Sequence, residues 1–319
     1  MRAELEIFRA LADPTRLRIV GLLRAMELSV GELAQVLGQS QPRVSRHVKI
    51  LVDAGLAVRR KEGSWVFLGL GDPGRVQPLL NAMDGWSDTD QDHWMRADLA
   101  RLEAVRADRQ AAAEAYFAAH AEQWDAIRSL HVAESDVEQA MHRALEAEEI
   151  GRLVDIGTGT GRILELFGAR ADRATGIDRS PEMLRLARAK LSEADLENVE
   201  IRQGDMYSLD LPGADSDTVI LHQVLHYAQQ PAAAIAEASR LLDGDGRLLI
   251  VDFAAHERED LRSQAAHARL GFSDEQIARW FDAAEIDGGL FEQLEGGELT
   301  VKLWLGRRKA SRRLKVVAA

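Results

Sequence analysis

The 319-residue sequence has no cysteine. That absence removes disulfides, thiolate metal sites and cysteine nucleophiles from consideration, and it fits a reducing compartment. No apolar run approaches the roughly 18 residues that a membrane-spanning helix needs. Glu4 and Glu6 stand ahead of any apolar stretch, so no secretory signal is read. The expectation is a cytoplasmic protein without a membrane partner. Collagen-like or disorder-promoting composition, internal repeats and low-complexity segments are also missing. What remains is a chain long enough for two domains with separate cores.

The net charge of −12 conceals a strong asymmetry. Residues 1–75 carry a net +4 and the remainder −16, and within 39–61 six basic residues face one acidic residue. A concentrated basic stripe in an acidic chain is compatible with nucleic-acid binding, because phosphate contacts are local.

Hydrophobic spacing predicts two helices in Leu5–Arg24, divided at Asp13-Pro14, with Asp13 as a cap and Pro14 in the first turn. A short helix follows over Val30–Leu37 and ends at Gly38. A second runs over Gln41–Ala54, with Ser40 as its expected cap. Leu56–Lys61 and Trp65–Leu70 read as a hairpin. Helix, tight turn, helix, hairpin is the order of a winged helix-turn-helix. Residues 88–130 are Ala-rich and charged, with a stripe of Met95, Leu99, Leu102 and Val105. They predict a long helix, serving as a dimer interface or as a solvated connector. Beyond residue 150, strands and helices alternate, with strands at Arg152–Ile156, Ala174–Ile177, Val199–Gln203, Asp217–Leu221 and Arg247–Phe253. A hairpin over Leu290–Arg308 ends the pattern. The expected fold is α/β: an N-terminal winged helix-turn-helix (1–80), a linker or dimerisation helix (81–130), and a doubly wound, Rossmann-like domain (131–319).

In a helix-turn-helix the second helix enters the major groove. Val44, Val48 and Leu51 take the core face of Gln41–Ala54. That leaves Ser40, Gln41, Arg43, Arg46, His47 and Lys49 as candidate DNA contacts, joined by Arg59, Arg60 and Lys61 on the wing. Arg pairs bidentately with guanine and Gln with adenine, and Lys suits phosphate. The run Leu11-Ala12-Asp13-Pro14-Thr15-Arg16-Leu17-Arg18-Ile19-Val20 resembles the opening signature of the ArsR/SmtB family of bacterial repressors, over residues 5–75. The resemblance implies a homodimer, packed through its first and last helices, on an inverted-repeat operator in double-stranded DNA. It also exposes a departure. Where metal-sensing members carry Glu-Leu-Cys-Val-Cys, this chain has Glu27-Leu28-Ser29-Val30-Gly31. The soft ligands are gone, so no metal site is expected and no response to thiophilic metals.

The second module is announced by Asp155-Ile156-Gly157-Thr158-Gly159-Thr160-Gly161 after a strand. Such glycines allow a tight turn and close approach of backbone to ligand. Arg162 stands where a dinucleotide fingerprint has its third glycine, which argues against NAD or FAD. Asp178 ends the next strand, placed to accept from both hydroxyls of a ribose, and Gly204-Asp205-Met206 ends the third. With Leu221-His222-Gln223-Val224-Leu225-His226 and Leu242-Asp243-Gly244-Asp245-Gly246-Arg247, these residues resemble class I methyltransferases that use S-adenosylmethionine (SAM), in the small-molecule branch that includes quinone C-methyltransferases. The resemblance covers about 116–308. It implies a ligand held by the loop of Gly157, Gly159 and Gly161, with Asp155 and Gly157 near the methionine moiety, Asp178 at the ribose, Asp205 and Met206 at the adenine, and His222 over the ligand. Tyr116, Phe117 and Trp124 are either a covering helix or packing core. No catalytic residue is assigned, although His222, His226, Tyr227 and His256 are candidates for a base.

The two modules together resemble ArsR-type regulators of methionine metabolism that respond to S-adenosylhomocysteine (SAH). Two readings stay open: a regulator, most simply a repressor, with SAH or SAM as effector, or an active small-molecule methyltransferase carrying a DNA-binding domain. A third, an empty vestigial domain, sits poorly with the intact motifs.

Overall fold

The computed structural model describes residues 2–62, 65–85, 92–124, 133–194, 196–295 and 298–309. The chain divides into two compact units, Met1–Ala112 and Ala113–Ala319, with the boundary inside the segment read as a linker.

In the first unit, α1 (Arg2–Leu11) and α2 (Pro14–Ala25) part at Asp13. The Asp13 carboxylate accepts from the amides of Thr15 (2.8 Å) and Arg16 (3.1 Å), satisfying donors that the helix start leaves open. Burial works against its charge, but those amides, with His47 and Arg16, outweigh it and hold the carboxyl below its ordinary range. A depressed folded-state pKa stabilises above the unfolded value and is lost as pH falls through the folded one. Asp13→Ala is therefore expected to cost about 1 kcal/mol at neutral pH. Urea melts of the two proteins should converge below the ordinary aspartate range.

A two-residue strand, β1 (Leu28–Ser29), precedes α3 (Val30–Leu37), α4 (Gln41–Asp53) and the wing strands β2 (Ala57–Glu62) and β3 (Trp65–Leu70), in the order β1-β3-β2. Gly38 closes α3 in the left-handed conformation. Ser40 holds the cap position of α4, yet its side chain makes no capping hydrogen bond.

Next comes α5 (Pro73–Gly85), absent from the sequence reading because Asp72-Pro73-Gly74 and Pro78 look like a loop. Asp72 instead caps the helix through the Arg75 amide (3.2 Å), and Pro73 occupies the first turn, where its missing N–H costs nothing. The long helix α6 (Asp92–His120) ends in a 3-10 turn over Ala121–Gln123, inside the span expected as one helix, whose ends at 88–91 and 125–130 lie outside the described residues. Of its stripe, Leu102 and Val105 are buried in the unit's own core and Leu99 is exposed.

The second unit is built on a seven-stranded sheet ordered β6-β5-β4-β7-β8-β10-β9. Strands β4 (Gly151–Ile156), β5 (Ala171–Asp178), β6 (Val199–Gln203), β7 (Ser216–His222) and β8 (Leu242–Phe253) are parallel. The closing hairpin of β9 (Ile286–Glu295) and β10 (Thr300–Arg308) inserts β10 antiparallel to β8. Side chains alternate across the sheet. Leu249, Val251 and Ile220 pack on one face with Val137 and Met141 of α7 (Glu134–Leu145). Leu248, Ile250, Val219 and Leu221 pack on the other with α10 (Pro231–Leu241) and α12 (Asp274–Ala283). Among the described residues the further α-helices of this unit are α8 (Arg162–Phe167), α9 (Pro181–Glu193) and a short α11 (Asp260–Gln264), the last not foreseen.

Candidate functional site

In the first unit, Val44, Val48 and Leu51 are fully buried, which turns the opposite side of α4 to solvent. Ser40, Gln41, Arg43, Arg46 and Lys49 are exposed there. His47 is mostly enclosed, with its Nδ1 3.7 Å from Asp13 Oδ1. On β2 the alternation of a strand separates neighbours. Arg59 and Lys61 are exposed, whereas Arg60 turns back to pair with Glu27 and lies 5.5 Å over the ring of Phe67. The exposed basic side chains thus come from two elements, while Arg60 pairs within the domain and His47 is mostly enclosed. Ser29 accepts from the Glu32 amide, and the Glu32 carboxylate accepts from the Ser29 amide, in a capping box at the start of α3. The stretch that aligns with a metal site is here a helix start.

In the second unit the strand order reverses between β4 and β7, and ligands of open α/β sheets bind at the carboxyl ends beside such a reversal. The motif residues converge there. Gly157, Gly159 and Gly161 all have positive φ, at 78°, 53° and 87°. A Cβ at Gly157 would stand 2.3 Å from Val224 Cγ2, so no other residue fits. The amides of Gly157 and Thr158 donate to the Ile177 carbonyl at 2.7 and 2.9 Å, stitching the loop to the end of β5.

Asp178 then bridges two loops, accepting from the Gly159 amide at Oδ2 and the Ser180 amide at Oδ1, each at 2.9 Å. Burial pushes its carboxyl upward, against the amides of Ser180, Gly159 and Arg179. A carboxylate offers about four acceptor directions in all, so acceptor capacity remains beside the loop amides. Ser180 caps α9 through the Met183 amide, with Pro181 in the first turn. Asp155 is buried within β4 and His222 buried at the end of β7. Asp205 accepts from the Tyr207 amide and lies 3.6 Å from Arg179 Nη1, while Met206 is half-buried against the sheet. The ends of four adjacent strands thus bring glycine loop, acidic acceptors and His222 to one edge. That arrangement fits an adenosine-containing ligand.

A cavity of about 410 Å³ opens beside this edge. Tyr116, Trp124, Gln223, His226, Tyr227 and Phe253 are among its lining residues. Phe117 meets Trp124 and Tyr227 edge to face at ring separations of 5.3 and 4.8 Å, and Trp124 Nε1 is 3.5 Å from where a Gly159 Cβ would be. Gln223, at the end of β7, has φ of 48°, strain of the kind that collects at functional sites. Burial pushes the Tyr227 phenol well above its ordinary value, so it stays protonated. His226 directs Nδ1 at Asp252 Oδ1, 2.8 Å away. Sequence reasoning singled out His226 but not Asp252 or His267. Those sit 26 and 41 positions further on, and no local spacing announces the meeting. Among the described residues, no group of three or more His, Asp or Glu is arranged to hold a metal ion, and no helix is long and apolar enough to cross a membrane.

Comparison with known proteins follows the same division. Residues 154–250 match the family model "Methyltransferase domain", and residues 13–58 match "Bacterial regulatory protein, arsR family". The phosphatidylethanolamine N-methyltransferase of Cereibacter sphaeroides is 38% identical over 112 residues, 35% of this chain and 55% of that protein. The chain thus spans about half the length of that relative. The arsenical resistance operon repressor of Escherichia coli is 37% identical over 102 residues, 32% of this chain and 80% of the repressor. Among solved structures, a complex of DhpI with SAH superposes with a TM-score of 0.50 at 22% identity, over 62% of this chain and 95% of DhpI, a likeness of fold. The chain belongs to the ArsR family of bacterial regulatory proteins, fused to a methyltransferase domain of Rossmann-like fold.

Proposed function

We propose that this protein is a DNA-binding transcriptional regulator, a repressor, whose methyltransferase domain binds SAH or SAM as the effector. The observation that carries the reading is Asp178. Its carboxylate is fixed by two loop amides at the reversal of strand order, with acceptor capacity left for a ribose. SAH and SAM share ribose, adenine and amino-acid groups, so the site supports both. Coupling requires that the ligand bind the DNA-bound and free forms differently. Calorimetry with each ligand, with and without operator, tests it directly: unequal affinities are expected, and equal ones end the effector reading.

The DNA side rests on the exposed face of α4. Arg46→Ala should weaken specific binding by about 1–3 kcal/mol, whereas Lys49→Ala should weaken all sequences evenly. A mobility-shift series on operator and random DNA separates the two, and equal losses would reject the assignment to Arg46. A homodimer on an inverted repeat agrees with Leu5 and Phe8 of α1, 49% and 60% exposed despite their helical spacing. A second reading, an active small-molecule methyltransferase, is favoured by the cavity beside the nucleotide edge. Formation of SAH from SAM on adding acceptor distinguishes it.

A further inference from the structure

The cavity is a chamber with a chemistry of its own. Half of its lining residues carry flat rings, among them Tyr116, Trp124, Tyr227, Phe253 and His267. The charged pair on its lining, Arg258 and Asp260, is mutually neutralised at 2.7 Å, with Glu298 also on Arg258. Such a lining favours a neutral, planar molecule over a phosphate or carboxylate.

His226 enters this lining from the 3-10 turn after β7 (Leu225–Tyr227) and is 2% exposed. Its partner Asp252 is fully buried on β8. The Asp252 carboxylate also accepts from the backbone amides of His226 (3.2 Å) and Phe253 (2.8 Å). A carboxylate only accepts, so His226 Nδ1 carries the proton and Nε2 is left as the basic nitrogen of the ring. His267 and Tyr227 flank that ring at 4.3 and 4.0 Å between centroids. The Arg269 amide donates to the His226 carbonyl at 2.9 Å, which fixes the turn from below.

We infer that this chamber receives a small planar acceptor bearing an ionisable hydroxyl, and that His226 Nε2 takes its proton, with Asp252 as the positioning residue that sets the ring tautomer. The assignment rests on reading the adjoining edge as a SAM site. Bound SAM supplies the methyl group: the acceptor oxygen forms the new C–O bond as the C–S bond breaks, the electron pair stays on sulfur and SAH is released. The protein's own part is to strip water from the acceptor between rings, hold its hydroxyl at His226 and keep the proton there until release.

The test uses the full chain with ¹⁵N-labelled histidine rings and 4-nitrophenol as probe, in the absence of SAM and SAH. His226→Asn identifies the His226 signals. In the native protein they are expected to show a neutral ring protonated at Nδ1 and to shift on adding 4-nitrophenol. A ring protonated at Nε2, a doubly protonated ring at neutral pH, or signals unmoved by the probe up to its solubility would overturn the inference. Asp252→Leu, which removes every acceptor, should abolish the Nδ1–H preference, an effect that an aspartate without a hold on the ring would not produce. Calorimetry of 4-nitrophenol should show binding weakened at least about tenfold in His226→Asn, and equal binding counts against the inference. Tyr116→Ala, in a partly exposed wall residue, should weaken the probe without touching the pair and serves if His226→Asn does not fold. None of these measurements involves SAH or operator. Their failure therefore leaves the effector reading standing, and loss of SAH–operator coupling leaves this one standing.

Discussion

Arg18→Met is expected to destabilise the DNA-binding unit by about 3–5 kcal/mol, a large share of the 5–15 kcal/mol that holds a typical domain together. Asp98 on α6 is fully buried. Arg18 on α2 grips it with a two-pronged contact, Nε to Oδ2 at 2.6 Å and Nη2 to Oδ1 at 2.7 Å. Removing the guanidinium leaves a carboxylate without its main counter-charge in a desolvated place. Arg101 reaches the same carboxylate at 3.2 Å but is half exposed, so its compensation is partial. Replacing both partners, Arg18→Met with Asp98→Leu, should recover most of the loss, because the uncompensated charge is gone. Urea melts followed by circular dichroism, with operator binding in parallel, check this. A single-variant cost below about 1 kcal/mol would show that the carboxylate is solvated in practice.

Asp178→Ala is expected to weaken SAH and SAM binding at least about tenfold, since each hydrogen bond to a charged acceptor contributes on the order of 1.5–3 kcal/mol. The structure adds a second cost to the lost ribose acceptor. The same carboxylate holds the Gly159 and Ser180 amides, so its removal frees the glycine loop as well. Asp178→Asn separates the two effects. It keeps one acceptor oxygen, enough for one of the two loop amides, and turns an NH2 against the other, so its loss of affinity should approach that of alanine while one of the two loop contacts is kept. Calorimetry gives the affinities, and amide exchange at Gly159 reports the loop. Unchanged affinity in Asp178→Ala would remove Asp178 from the ligand and with it the effector reading.

Much of this protein follows from local chemistry. Asp13-Pro14 and Ser180-Pro181 start helices because a short polar side chain accepts from the open donors of the first turn, and a proline there has no N–H to leave open. The run Gly157-Thr158-Gly159-Thr160-Gly161 announces a ligand loop because only glycine adopts those dihedrals readily. Alternation of apolar residues places Val44, Val48 and Leu51 inside, and so the basic side of α4 outside. The helix α5 escaped because Pro73 and Pro78 read as breakers, and only docking of Val76 and Leu80 on the core decides the segment as helix.

Other properties belong to the tertiary structure alone. Arg59, Arg60 and Lys61 are equivalent as composition, yet the pleat sends Arg60 to Glu27 and its neighbours to solvent. The Arg18–Asp98 grip, 80 positions apart, exists only once α6 lies on α2. His226 meets Asp252 because β7 and β8 are adjacent in the sheet and His226 follows the end of β7, a consequence of strand order. Local spacing determines which backbone shapes and faces form. Which charges meet across those faces depends on packing, because the free energy of a buried pair is set by desolvation and neighbours that no short stretch of sequence contains.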